Sequence, residues 1–153
     1  MEIKLRYVNE QDKWIIYNWS NDVTTRKMSF NSKEISKEQH DLWFESLLAS
    51  SRCWIAELAE GSLPVGMFRV NGEGIVGISV SGDYRGKGIG TSILEEAIKL
   101  LEREKETYHI SDLVAFIKIV NEPSISLFKK AGFGCEGITE YSGSVCYKYV
   151  YKL

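Results

Sequence analysis

The chain has 153 residues and a formal net charge of −2, from 19 basic and 21 acidic side chains. That length is one domain's worth of chain, spanning 1–153 and able to bury a real core. The near-balance of charge excludes the basic excess of a nucleic-acid surface. No apolar run is long enough to cross a membrane, and residues 1–6 alternate charge with hydrophobe, unlike a signal peptide. Cys53, Cys135 and Cys146 have no metal-ligand spacing and read as reduced thiols of a cytoplasmic protein. His40 and His109 stand apart, so no metal is expected.

Residues 2–8 alternate Ile3, Leu5 and Tyr7 against Glu2, Lys4 and Arg6, the period-two pattern of a half-buried strand. Asn9 or Asp12 caps a short helix running through Ile15, Ile16 and Trp19. Residues 20–35 are polar and irregular. Ser36 and Gln39 have the spacing of a capping box, and the helix they open carries His40, Trp43, Phe44 and Leu47 on one face. Residues 53–59 and 63–70 read as two strands joined through Glu60 and Gly61. Residues 73–81 form a third, mostly apolar and therefore buried strand. A helix over 88–104 follows a glycine-rich turn, and 112–120 is a very apolar strand. Asn121-Glu122-Pro123 opens the last helix, with proline in its first turn, and Gly132 closes it. Residues 133–140 and 145–151 make a hairpin around Ser142 and Gly143. The order β-α-α-β-β-β-α-β-α-β-β describes a mixed α+β domain.

The turn between the third strand and its helix is the chemically loaded segment, Tyr84-Arg85-Gly86-Lys87-Gly88-Ile89-Gly90-Thr91. Glycines there let backbone N–H groups approach a ligand closely. The first turn of the following helix offers unpaired N–H groups at its positive end. Such a turn suits a phosphate or pyrophosphate, and Arg85 and Lys87 add positive charge. Gly88 stands where a Walker A loop needs Ser or Thr, and Thr91 stands where a dinucleotide fingerprint needs glycine. Both of those patterns fail.

What remains, Arg85-x-x-Gly88-x-Gly90, closely resembles the pyrophosphate loop of the GNAT N-acetyltransferases, Q/R-x-x-G-x-G/A. A second stretch, Asn121-Glu122-Pro123-Ser124-Ile125-Ser126-Leu127-Phe128-Lys129-Lys130-Ala131-Gly132-Phe133, resembles that family's C-terminal signature, N-x-x-(A/S)-x-x-L-(Y/F)-x-x-x-G-F. The resemblance runs from about residue 2 to the end of the chain. It implies the GNAT fold, a mostly antiparallel mixed sheet of about seven strands flanked by about four helices, and acetyl-coenzyme A (acetyl-CoA) as co-substrate without a metal. The pyrophosphate would lie on the amides of Arg85, Gly86, Lys87, Gly88, Ile89, Gly90 and Thr91. The pantetheine arm would run beside Ile78 and Val80 toward Asn121, with Ser124 and Lys130 of the last helix as further cofactor contacts. Asn121 reads as readily as a helix cap, and can serve as both.

The implied reaction is direct attack of a substrate amine on the thioester, with a backbone N–H of the 78–80 strand stabilising the developing charge. The usual tyrosine acid of the family is replaced here by Phe128. The nearest carboxylate to the usual base is Glu73. Ser79, His40, Tyr141 or water-mediated transfer are the alternatives.

Residues 19–31, followed by Ile35-Ser36 and His40-x-x-Trp43-Phe44, resemble the N-terminal region of GNAT enzymes that acetylate UDP-linked 4-amino-4,6-dideoxy sugars in pseudaminic- and legionaminic-acid-type pathways for bacterial surface glycans. On that resemblance Arg26 and His40 would contact the diphosphate, while Phe30, Trp43 and Phe44 would pack the base or the 6-deoxy methyl. A stripe of Trp43, Phe44 and Leu47 at helical spacing is more often core than a ligand box, and a lone histidine such as His40 on that face is more often structural. A protein N-terminus, a lysine, a polyamine or an aminoglycoside are alternative acceptors, served by an acidic groove such as Glu57, Glu136 and Glu140. A non-catalytic CoA-binding module is the alternative of another class. The expected state is monomer or homodimer.

Overall fold

The computed structural model describes residues 1–50 and 52–153. Strand β1 (Ile3–Tyr7) leads into a 3-10 turn, Glu10–Asp12, and helix α1 (Lys13–Ser20). Asn9 caps that turn: its Oδ1 accepts from the Gln11 N–H at 2.9 Å, while Asp12 accepts from the Asn9 N–H at 2.8 Å. Helices α2 (Val23–Met28) and α3 (Lys37–Ser50) follow. The capping box at Ser36 and Gln39 is formed in both directions, each bond 3.1 Å. Strands β2 (Cys53–Leu58), β3 (Pro64–Val70) and β4 (Val76–Val80) make an antiparallel meander with β1, ordered β1-β2-β3-β4. Helix α4 (Ile89–Tyr108), strand β5 (Asp112–Lys118), helix α5 (Glu122–Lys130) and the hairpin of β6 (Gly134–Tyr141) and β7 (Ser144–Lys152) complete the chain. These last three strands are ordered β5-β7-β6.

Each face of the meander buries a different set of helices. Trp54, Phe68 and Val70 pack against Ile93, Leu94, Ala97 and Leu101 of α4 and against Phe128 of α5. On the opposite face, Cys53, Ile55 and Met67 pack against Ile16 and Trp19 of α1 and Phe44 and Leu47 of α3. Period-two alternation in the strands therefore separates an α4/α5 side from an α1/α3 side. A clamp holds β1 to the first turn. The Arg6 fork donates to both Asp12 oxygens at 2.8 Å and to Glu57 at 2.9 Å, and Asp12 is only 4 % exposed.

The seven strands do not form one continuous sheet. β4 and β5 run parallel and meet at a single bridge, Ile75 to Val114. There the Val114 N–H donates to the Gly74 carbonyl at 2.8 Å. Gly74 makes the approach possible: its φ is +82°, and a Cβ would lie 2.2 Å from the Asp112 carbonyl oxygen. Past that bridge the strands diverge, and no further bridge joins them among the described residues.

Three expectations from the sequence need correction. Residues 20–35 are not wholly irregular: they contain α2, capped by Asp22, whose carboxylate accepts from the Thr25 N–H at 3.1 Å. The helices therefore number five among the described residues, where about four were expected. The third strand begins at Val76 and not at 73, because the Asn71 Oδ1 accepts from the N–H groups of both Glu73 and Ile75 at 2.9 Å and folds 71–75 into a turn. Helix α4 passes residue 104, where Glu104 leaves helical geometry (φ −118°), and continues to Tyr108.

Candidate active site

The divergence of β4 from β5 leaves one edge of β4 open. Ser81 donates to Val65 and Asn71 to Ile75, so residues 75, 77, 79 and 81 turn their backbone groups toward β3. In an antiparallel ladder the alternate residues then face away, which leaves the N–H and C=O of Ile78 and Val80 on the open side. A cavity of about 370 Å³ fills this gap, lined by Ile78, Phe116, Asn121, Ser124, Phe128 and Tyr141 among others.

The glycine loop lies between the end of β4 and α4. Gly86 and Gly88 hold φ of +75° and +77°, left-handed values that suit glycine. Gly88 is the residue before α4 and offers no side-chain cap, so the N–H groups of Ile89, Gly90 and Thr91 are open to a ligand. Gly90 has a packing role, since a Cβ there would touch Leu127 and Val80 at 3.5 Å. Lys87 is exposed, with its ammonium 5.4 Å from the Tyr84 ring centre. Arg85 is tied down: it donates to the Asp22 carboxylate at 2.9 Å and to the Thr25 hydroxyl at 3.0 Å. Burial alone would raise the Asp22 carboxyl, but the bonds from Arg85 and the Thr25 amide, with the Arg85 charge, hold it below its ordinary value.

Asn121 caps α5 by accepting from the Ser124 N–H at 3.3 Å, which leaves its amide nitrogen for the cavity that both residues line. Lys130 lies at the far end of α5, exposed, and lines neither cavity.

On the α1/α3 side of β4 a second cavity, about 350 Å³, is lined by Arg26, His40, Trp43, Arg69, Gly77, Ile78 and Ser79 among others. The two cavities share Arg26, Ser29, Asn31, Arg69, Gly77 and Ile78. His40 is 1 % exposed, and its Nε2 donates to the Lys13 carbonyl at 2.7 Å, which places the ring proton on that nitrogen. Trp43 stands at the cavity wall, 36 % exposed, while its helix neighbours Phe44 and Leu47 enter the core. Phe30 is separated from Trp43: it lines the β4–β5 cavity and meets the Tyr141 ring edge-on at 5.2 Å. Arg26 lines both cavities but is largely spent on the backbone. It donates to the carbonyls of Ser20 and Asn31 at 2.7 Å and of Lys33 at 3.3 Å, and to the Ser29 hydroxyl at 3.1 Å. It thereby holds the 29–33 loop over the cavity.

Of the acid–base candidates, Ser79 and His40 reach the second cavity and Glu73 does not. Glu73 is exposed in the 71–75 turn and lines neither cavity. Phe128, 4 % exposed, packs edge-on to Phe133 at 4.9 Å and presents no proton. Tyr141 lines the β4–β5 cavity, stacked on Phe116 at 4.2 Å. Burial pushes the Cys53 thiol up to about 12, so it stays protonated beside the second cavity's floor. Two of the three carboxylates expected to form an acidic groove are paired: Glu57 is held by Arg6, and Glu136 pairs with Lys148 at 3.7 Å.

Sequence reasoning missed Arg69 and Gly77, which face each other across β3 and β4 on the cavity floor. A signal existed. Alternation in β3 puts Arg69 on the same side as Met67, where Met67 is buried and the longer Arg69 side chain reaches the cleft.

Comparison with known proteins agrees with this geometry. The family model for the acetyltransferase (GNAT) domain matches residues 2–134. The chain belongs to the GNAT acetyltransferase family. It is 26 % identical over 152 residues to the putative phosphinothricin acetyltransferase YwnH of Bacillus subtilis, covering 91 % of each chain. Its fold is similar to that of the aminoglycoside acetyltransferase AAC(6')-Ib bound to ribostamycin and coenzyme A, with TM-score 0.79 at 20 % identity over 99 % of this chain and 94 % of that one. It is also similar to spermidine N-acetyltransferase from Vibrio cholerae bound to CoA and spermine, with TM-score 0.80 at 15 % identity over 99 % and 95 %. GNAT acetyltransferases use acetyl-CoA, and this chain is an N-acetyltransferase of that type. The residues present fit that co-substrate: an open strand edge beside the cavity and a left-handed glycine turn at a helix start. No described helix is long and apolar enough to cross a membrane, and no described cluster of side chains could hold a metal.

Proposed function

We propose that this GNAT enzyme acetylates a primary amine on an anionic acceptor, with a nucleotide-linked amino-deoxy sugar as the leading candidate. The observation that carries the reading is the lining of the α1/α3-side cavity. It includes Arg26, Arg69, Trp43 and several hydroxyls, and no Asp or Glu among the described residues. Aminoglycosides and spermine, bound by the structural neighbours, carry several positive charges and would need carboxylates for company. A sugar nucleotide brings phosphates suited to arginine and a base suited to an aromatic wall.

When bound, acetyl-CoA supplies an activated acetyl thioester. The chain's own residues divide the remaining work. Gly86, Gly88, Ile89, Gly90 and Thr91 would hold the pyrophosphate, with Ile78, Val80, Asn121 and Ser124 along the pantetheine path. The Ser79 hydroxyl and the unbonded ring nitrogen of His40 are the groups that would relay the amine's proton. The catalytic geometry is completed by juxtaposition: both cavities open onto Ile78, so donor and acceptor would meet at one strand.

The test is release of the CoA thiol from acetyl-CoA with a UDP-4-amino-4,6-dideoxyhexose, run beside phosphinothricin, spermine and a peptide. Saturable release with the sugar nucleotide and not with spermine is expected. Release with spermine or the peptide alone refutes the anionic acceptor. Coenzyme binding without release from any acceptor favours a non-catalytic module.

A further inference from the structure

We infer that Arg69 is a binding site for an oxyanion carried by the acceptor, set within a few ångströms of the reacting strand. Other arginines of the chain near the cavities or the sheet are already occupied. Arg6 holds Asp12 and Glu57, Arg26 holds three carbonyls and a hydroxyl, Arg52 donates to the Tyr108 carbonyl at 2.8 Å, and Arg85 holds Asp22. Arg69 differs. Among the described residues no carboxylate pairs with it and no acceptor takes a hydrogen bond from its guanidinium.

Its position is prepared by the sequence around it. Arg69 faces Gly77 across the β3–β4 ladder. A Cβ at position 77 would lie 3.0 Å from the Arg69 Cζ and Nε and 3.1 Å from Nη2, so the guanidinium rests over bare backbone. The Trp43 ring lies on another side, 5.9 Å from Cζ to the ring centre. The group remains open to the cleft, and it lines both cavities. An unpaired guanidinium at the cleft wall offers an oxyanion a planar, two-pronged bond.

The site also limits the acceptor's shape. Gly77 is the neighbour of Ile78, and consecutive Cα atoms stand about 3.8 Å apart. An acceptor that puts its amine at Ile78 and its oxyanion on Arg69 must carry the two within roughly the span of a sugar ring. A nucleotide sugar does so with a phosphate, and an amino acid with a carboxylate. The inference rests on the acceptor cleft assigned above, not on the identity of the sugar.

The test uses the full chain, wild type and Arg69→Met, each saturated with coenzyme A so that the glycine loop is filled. Inorganic phosphate is titrated in calorimetrically. Saturable binding to wild type is expected, weakened at least tenfold in the variant, with coenzyme affinity and thermal midpoint unchanged. Absent binding to wild type, or equal binding to both, overturns the inference. In a second arm, kcat/KM is compared for the UDP-amino sugar and for phosphinothricin, which distinguishes the phosphate source from the carboxylate source. Whichever is acetylated should lose about tenfold to a hundredfold on Arg69→Met, chiefly through KM, the usual scale for a charged hydrogen bond. A loss carried by kcat alone overturns the anchor. If neither is acetylated, the sugar reading falls while the phosphate titration still decides Arg69.

Discussion

Two glycines of one loop should respond oppositely to the same substitution. Gly88 has φ +77° and ψ 6°, and no atom lies within 4 Å of a Cβ built there. Gly88→Ala therefore meets no collision, only the left-handed backbone cost of about 1–2 kcal/mol for a residue with a Cβ. At about 2–4 °C per kcal/mol for a chain of this size, the midpoint should fall by roughly 2–8 °C. If the loop relaxes toward right-handed geometry, the N–H groups of Ile89, Gly90 and Thr91 turn away from the phosphate. The coenzyme Kd should then rise by about tenfold or more, the loss of one or two charge-assisted bonds. Gly90 sits inside α4, where a new Cβ would touch Leu127 and Val80 at 3.5 Å, an ordinary contact directed into the protein. Gly90→Ala should hold or raise the midpoint, since alanine outranks glycine in a helix by up to about 1 kcal/mol. It should leave coenzyme affinity nearly unchanged. Thermal melts followed by circular dichroism and calorimetric titration of coenzyme A measure both quantities. Equal weakening of coenzyme by the two variants would refute the division of the loop into a phosphate cradle and a packing position.

Asp12→Asn should cost about 3 kcal/mol, the lower end for breaking a buried pair because Arg6 is partly exposed. Burial alone would raise the Asp12 carboxyl, but the Arg6 bonds, the Asn9 amide and the Arg6 charge hold it below its ordinary value. Its stabilisation is thus present above the unfolded carboxylate's pKa, about 3.9, and lost as pH falls through the lower folded value. Melts taken from pH 7 to 3 should show the wild-type midpoint dropping below about pH 4, with a shallower drop in Asp12→Asn. Asp22→Asn keeps the cap of α2, since asparagine caps as well as aspartate, and frees Arg85. The pair is partly exposed and worth at most about 1 kcal/mol, so stability should barely change while coenzyme affinity rises by up to about fivefold. Weaker binding would mean that Asp22 positions Arg85 for the phosphates. Phe128→Tyr should leave kcat unchanged or raise it, because the ring lines the β4–β5 cavity and has no proton to give. A tenfold loss in steady-state kinetics would show that the phenyl ring is needed for packing.

What the sequence determined by itself is local. The pyrophosphate turn is legible because left-handed backbone favours glycine, and Gly86 and Gly88 are where that geometry occurs. The caps at Asn9, Ser36 and Asn121 are legible because their bonds span only two or three residues. The strands and α4 follow from periodicity. Tertiary structure decided whatever depends on elements far apart in the chain. Nothing in residues 73–81 states that β4 meets β5 only at the one bridge that Gly74 permits beside Asp112 and parts from it beyond. Arg26 reads as a contact for the acceptor's diphosphate and Arg85 as charge for the glycine turn, yet the fold spends one on backbone carbonyls and the other on Asp22. Glu73 looked like a candidate base until Asn71 folded it into a turn. Arg69 drew no notice until β4 laid Gly77 beside it and α3 brought Trp43 near. Backbone preferences act over a few residues and can be read in order. The partners of a charged side chain are set by packing between distant segments, and only the folded chain assigns them.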